Sequence, residues 1–289
     1  MVRTVEEVRC ADGWCLAVDV LVPEAPRAVA LLGHAMMADR RTLDTGGDGL
    51  ASHLERRGLA VVAADLRGHG ASGPGAAAGG RWSYDDLVGA DTRALLEFVA
   101  RRFPGLRRGV VGHSLFGHVS LANAIRYPRE AADALVLLST NIWAPRWEPD
   151  LRMRLAKRAI LETGLAIART VGYLPARRMR MGSCDEALAF WEPMARWHRN
   201  NDWYADDGFS YLAHARRLQR PILALVGAGD RLLCRPVAAR RFYAEVPAAR
   251  LEVVGRATGL GYDPDHMELV TDQRSRPLWD RIADFIARG

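Results

Sequence analysis

From Ala28 onward the chain repeats one pattern: a short, almost wholly apolar run, then an amphipathic stretch. The runs are Ala28 to Gly33, Ala60 to Asp65, Gly109 to Gly112, Ala134 to Ser139, Ile222 to Val226 and Leu251 to Val254. A strand that is apolar at every position is buried on both faces, and the sheet built from such strands is parallel and covered by helices. The helical stretches fall near Gly47 to Arg57, Tyr84 to Phe103, Leu115 to Tyr127, Val237 to Glu245 and Ser275 to Ala287. Ahead of this pattern, Thr4 to Cys10 and Cys15 to Val22 read as two strands of an antiparallel hairpin around Asp12-Gly13. The fold class is therefore α/β: a mostly parallel central sheet, an N-terminal antiparallel hairpin, and helices on both faces.

One interval breaks the rhythm, since no strand follows Ser139 until Ile222. The residues between are mostly helical in pattern and punctuated by Pro145, Pro149, Pro175 and Pro193. This divides the chain into a core of residues 1–140 and 216–289 and an insertion of residues 141–215. The insertion is rich in rings (Trp143, Trp147, Trp191, Trp197, Trp203). Those between Trp191 and Tyr211 fit either a bulky binding surface or the insertion's own core. Between Arg146 and Arg180 basic residues outnumber acids. That balance suits either attraction of acidic or phosphorylated acyl carriers or a solvated helix face.

Composition excludes several classes. With 49% apolar and 26% charged residues the chain is neither disordered nor built for a bilayer, and no apolar run is long enough to cross a membrane. The net charge of +6 comes almost wholly from arginine spread along the chain among acids, and Lys157 is the only lysine. No nucleic-acid partner is expected from that distribution. Acids at Glu6 and Glu7 stand where a leader needs apolar residues, so the expected location is cytoplasmic. Cys10, Cys15, Cys184 and Cys234 fit no metal spacing, although a two-residue Asp12-Gly13 turn would set Cys10 against Cys15. No metal and no cofactor is expected.

The residues that carry chemistry begin with Val110-Val111-Gly112-His113-Ser114-Leu115-Phe116-Gly117, a buried strand turning into a helix with a serine at the corner. This resembles the nucleophile elbow of the α/β-hydrolase superfamily, whose esterase-like serine hydrolases carry a helical cap inserted after the sixth strand. The resemblance implies that Ser114 is a nucleophile. It also implies the chain order Ser, Asp, His, which Asp230 at the end of the Ile222 strand and His266 after the last strand satisfy. Leu31-Leu32-Gly33-His34-Ala35-Met36 occupies the place of the family's oxyanion loop, so Leu115 and Met36 are the expected N–H donors, with Ala35 standing where glycine is commoner. Asp65-Leu66-Arg67-Gly68-His69-Gly70-Ala71-Ser72 resembles the family's structural loop after the next strand, with Asp65 and Arg67 tying loops together. His34, Ala35, His113 and Phe116 are candidate pocket-lining residues, and His34, His113 and His118 read as packing or hydrogen-bonding groups.

The chain departs from the pattern at Phe116, where a small residue is usual. Either the ring lodges against small neighbours such as Ala63 and Ala64, or the turn is distorted. The implied reaction is hydrolysis of a carboxylic ester through an acyl-enzyme on a small-molecule acyl substrate. A thioesterase or acyltransferase would use the same groups, and a slow, ligand-binding relative is the alternative from another class. A homodimer is an open option.

Overall fold

The computed structural model describes residues 2–288. Eight strands make one sheet: β1 (Val2–Arg9), β2 (Cys15–Val22), β3 (Ala28–Gly33), β4 (Leu59–Ala64), β5 (Arg108–His113), β6 (Ala134–Leu138), β7 (Ile222–Gly227) and β8 (Ala249–Val254), in the order β1-β2-β4-β3-β5-β6-β7-β8. β1 and β2 are antiparallel to their neighbours, and every pairing from β4 to β8 is parallel. Every residue of β3, β4, β6 and β7 is buried, as continuous apolar runs require.

The principal helices are α1 (Leu50–Arg56), α2 (Thr92–Arg102), α3 (Leu115–Arg126), α4 (Leu151–Val171), α5 (Leu188–Asn200), α6 (Pro236–Tyr243) and α7 (Arg276–Arg288). α1 and α7 bury Leu50, Leu54, Trp279, Ile282 and Ile286 against one face of the sheet. The other face packs against Leu95 and Val99 of α2, Leu121 and Ile125 of α3 and Phe242 of α6. At the front of α2, Leu87–Asp91 winds as a wider π turn. It leaves Asp91 fully buried, with Oδ1 accepting from Arg67 Nε at 2.7 Å and Oδ2 from the Arg67 N–H at 3.0 Å.

The hairpin corrects one expectation. Its turn holds three residues, Ala11 to Gly13, because the Gly13 N–H bonds back to the Cys10 carbonyl (3.0 Å) while Gly13 itself adopts φ +89. The extra residue shifts the register, so Arg9 faces Cys15 and Cys10 bonds to Trp14. Cys10 and Cys15 are thus not partners, and all four cysteines are free.

Residues between β6 and β7 carry α4, α5, a turn at Tyr211–Ala215 and a two-residue ribbon pairing Tyr173–Leu174 with Glu186–Ala187. Phe190, Trp191, Trp197, Trp203 and Tyr211 are buried here. The Trp191 indole donates to the Leu161 carbonyl (3.0 Å) and that of Trp197 to the Tyr204 carbonyl (2.7 Å). These five rings are packed in the interior, Trp197 and Tyr211 against Tyr84 and Trp203 against Phe242 of α6, so they join this segment to the rest of the fold. Lys157 is buried as well, its Nζ 3.1 Å from Glu148 Oε2 and 5.2 Å from the centre of the Trp143 ring, with Arg235 Nη1 2.6 Å from Glu148 Oε1. Burial pulls the Lys157 amine below its ordinary range, against the pull of Glu148. No helix among the described residues is long and apolar enough to cross a membrane.

Candidate active site

Ser114 sits between the C-terminal end of β5 and the first turn of α3, at φ +49 and ψ −104. A side-chain-bearing residue rarely adopts a positive φ, and holding one there costs about 1–3 kcal/mol. The turn is kept by its neighbours: the Ser114 N–H donates to the Leu138 carbonyl of β6 (2.8 Å), and the Phe116 N–H to the His34 carbonyl after β3 (3.3 Å). The elbow therefore survives Phe116. The ring is fully buried and fills the space above Gly33, which pairs with Ala64 of β4, and a β-carbon on Gly33 would collide with it.

Asp230 lies just beyond β7 and His266 in the loop after β8. His266 Nδ1 is 2.6 Å from Asp230 Oδ2, with both side chains buried. Asp230 is itself held by three backbone donors, Leu232 (3.3 Å) and Leu233 (2.9 Å) to Oδ1 and Cys234 (2.9 Å) to Oδ2. Burial works against its charge, but the hydrogen bond from His266 and those N–H groups outweigh it and hold the carboxyl below the usual carboxylate range. His113, next to Ser114, reaches the same loop: its Nε2 donates to the His266 carbonyl at 2.9 Å, and the two rings lie 5.3 Å apart. That bond leaves Nδ1 as the unprotonated nitrogen, and burial with the nearby His266 pushes His113 down to about 3.

Ser114 Oγ makes no hydrogen bond among the described residues, so the structure pairs Asp230 with His266 but does not join Ser114 to them. The N–H groups of Leu115 and Met36 likewise have no acceptor among the described residues. Met36 belongs to a tight turn closed by the Ala38 N–H on the Ala35 carbonyl (3.3 Å). His34, fully buried, braces that turn. Its Nε2 accepts from the Leu66 N–H (3.1 Å), so Nδ1 carries the proton donated to the Ala35 carbonyl (2.8 Å), and burial with the neighbouring His69 pushes it down to about 3. His34, His113 and Phe116 expose no surface, and Ala35 almost none.

Asp65 and Arg67 tie loops together as expected. Asp65 accepts from the Ala71 N–H (2.9 Å) and the Arg40 N–H (2.7 Å), and Arg67 spans Asp91 and Asp12. Sequence reasoning missed Glu186. It is fully buried, and its Oε1 accepts the Met37 N–H at 2.6 Å and lies 3.1 Å from His69 Nε2. An acid in a helical insertion reads as surface, and only the folded contact reveals it. A separate hollow of about 560 Å³, lined by Phe103, Leu106, Arg108 and Asp133, lies at the other end of β5 from Ser114. No cluster of metal-ligating side chains occurs among the described residues.

Comparison with known proteins places the fold. Residues 25–256 match the family described as serine aminopeptidase, S33. A monoacylglycerol lipase of Mycolicibacterium smegmatis is 36% identical over 132 residues, which span 43% of this chain and 42% of that protein, less than half its length. An esterase of Pyrococcus furiosus superposes with a TM-score of 0.61 at 18% identity, covering 99% of this chain and 92% of that one. The esterase domain of a Rhodothermus marinus protein does so with 0.63 at 18% identity, covering 100% and 99%. The family match spans most of the chain and the superposed folds all of it: this chain belongs to the serine aminopeptidase S33 family of the α/β-hydrolase superfamily.

Proposed function

We propose that this α/β-fold hydrolase cleaves carboxylic esters of a small-molecule acyl substrate by transferring the acyl group to Ser114 and then to water. The observation that carries the reading is the 2.6 Å pairing of His266 Nδ1 with Asp230 Oδ2, in a loop that His113 anchors beside the strained Ser114. With Nδ1 committed to Asp230, Nε2 of His266 is the nitrogen free to act as base. After rotation of the serine side chain, Ser114 Oγ attacks the carbonyl carbon as His266 takes its proton, and the oxyanion meets the N–H groups of Met36 and Leu115. The ester C–O bond breaks as His266 returns the proton to the leaving alcohol. A water, deprotonated by His266, then releases the acid and regenerates Ser114.

Esters are preferred over amides on the 36% identity to a monoacylglycerol lipase, and amide cleavage, which the family's aminopeptidase description suggests, is the alternative. The test is labelling with a fluorophosphonate alongside hydrolysis of nitrophenyl esters of increasing chain length. Ser114→Ala should abolish both; a folded wild type that takes no label and cleaves none of the esters would overturn the reading.

A further inference from the structure

Met37 has φ +60, at the third position of the Ala35–Ala38 turn that carries Met36. A turn with positive φ at that position ordinarily has glycine there. Here a long side chain is held in glycine's conformation, so something outside the turn must fix it.

What fixes it comes from the insertion. The Met37 N–H donates to Glu186 Oε1 (2.6 Å), and the Met37 carbonyl accepts from the N–H groups of both Ser183 (2.8 Å) and Cys184 (3.0 Å). Gly182 permits this approach, since a β-carbon there would collide with the Met37 carbonyl oxygen. Ser183 Oγ adds a bond to Asp39 Oδ2 at 2.9 Å. Glu186 is in turn oriented by His69. Nδ1 of His69 faces the Arg67 carbonyl (2.9 Å) and Nε2 faces Glu186, and with Glu186 ionised a doubly protonated ring donates to both. Burial opposes that charge, but Glu186 outweighs it and lifts His69 above the ordinary histidine range. Glu186 Oε2 has no partner among the described residues, so the buried carboxylate is committed to this contact through Oε1 alone.

Resting on the ester-hydrolase reading above, we propose that Glu186 is a positioning residue: by gripping the peptide between Met36 and Met37 it aims the Met36 N–H at the oxyanion, so that a segment between β6 and β7 completes a site otherwise built by the core. An oxyanion donor acts on the transition state more than on bound substrate, so its misplacement lowers turnover and leaves substrate affinity nearly unchanged.

The experiment compares Glu186→Ala, Glu186→Gln and Gly182→Ala on a short-chain nitrophenyl ester, with each variant's folded fraction set by circular dichroism. Glu186→Ala should lower kcat about tenfold to a hundredfold with KM within about threefold, and weaken a boronic-acid transition-state analogue by the same factor. Glu186→Gln, which keeps an acceptor for the Met37 N–H, should recover most of the turnover. Gly182→Ala should reproduce the alanine pattern from the other side of Met37. A folded Glu186→Ala protein with wild-type kcat overturns the inference, as does a loss confined to KM or to the unfolded fraction. Equal losses in the glutamine and alanine variants also overturn it. A wild type that neither hydrolyses esters nor takes a fluorophosphonate overturns the ester reading and this inference with it; the variants separate the two only when the wild type is active.

Discussion

A β-carbon added to Gly33 would fall within the ring of Phe116, so the last residue of β3 and the second residue of α3 are one packed unit. The absence of a side chain at the first makes room for the large one at the second.

That coupling sets a double-mutant cycle. Phe116→Ala empties a fully buried site and should cost about 3–5 kcal/mol, and Gly33→Ala should destabilise by overpacking, about 1–3 kcal/mol. The double variant should be more stable than the sum of the two predicts, by about 0.5–3 kcal/mol. Urea unfolding of the four proteins measures the coupling, and strict additivity would show that the ring does not depend on Gly33.

Backbone strain at Ser114 predicts opposite changes in stability and activity. Ser114→Gly relieves φ +49 and should be more stable than Ser114→Ala by up to about 1–3 kcal/mol, and so melt higher, with both variants inactive. Calorimetry of the pair tests this: equal melting temperatures would mean that the elbow stores no strain.

Removing the charge of Asp230 should disable His266 while the loop stays in place. Asp230→Asn presents an amide to His266 Nδ1, favours the wrong tautomer, and should lower kcat by about 10³–10⁴-fold. Steady-state kinetics on the folded variant decide it, and a loss below tenfold would assign the orienting role elsewhere.

Acid sensitivity should begin well above the carboxylate range. His34, His113 and His118 are pushed down to about 3, chiefly by burial. In the unfolded chain each binds a proton near pH 6.5. Below that pH the unfolded state takes up protons that the native state refuses, and each group lowers stability by up to about 1.4 kcal/mol per pH unit. Below about pH 6.5 His69 does not offset this slope. Its folded value is raised, so its contribution is fully present below the unfolded value and is lost only as pH rises. Denaturant unfolding between pH 7.5 and 5 should show the decline, and His118→Phe should reduce the slope by about one proton.

Much of this was legible from strand ends. The runs ending at Gly33, Gly112 and Val226 are apolar throughout, and the loops that follow them carry Met36, Ser114 and Asp230, so placing the strands placed the candidates. The hairpin register was not legible, because Gly13 serves a two-residue or a three-residue turn equally well and the choice shifts every pairing by one. Nor was the partner of Phe116: its ring enters β3, which is adjacent in the sheet but distant in sequence. Glu186 was hidden for a related reason. Its burial depends on a ribbon of two residues on each strand, too short to leave a periodic signal, and on a turn nearly 150 positions away.

Lys157 carries the chain's only ε-amine, closed in by Glu148, Trp143 and the fold around α4. Acylating dyes, imidate cross-linkers and aldehyde resins, which attach to most proteins through surface lysines, would find none here while the insertion stays closed. Uptake of such a reagent at Lys157 would therefore act as a clock for the opening of that segment, read by mass spectrometry at a single site with no other lysine in the background.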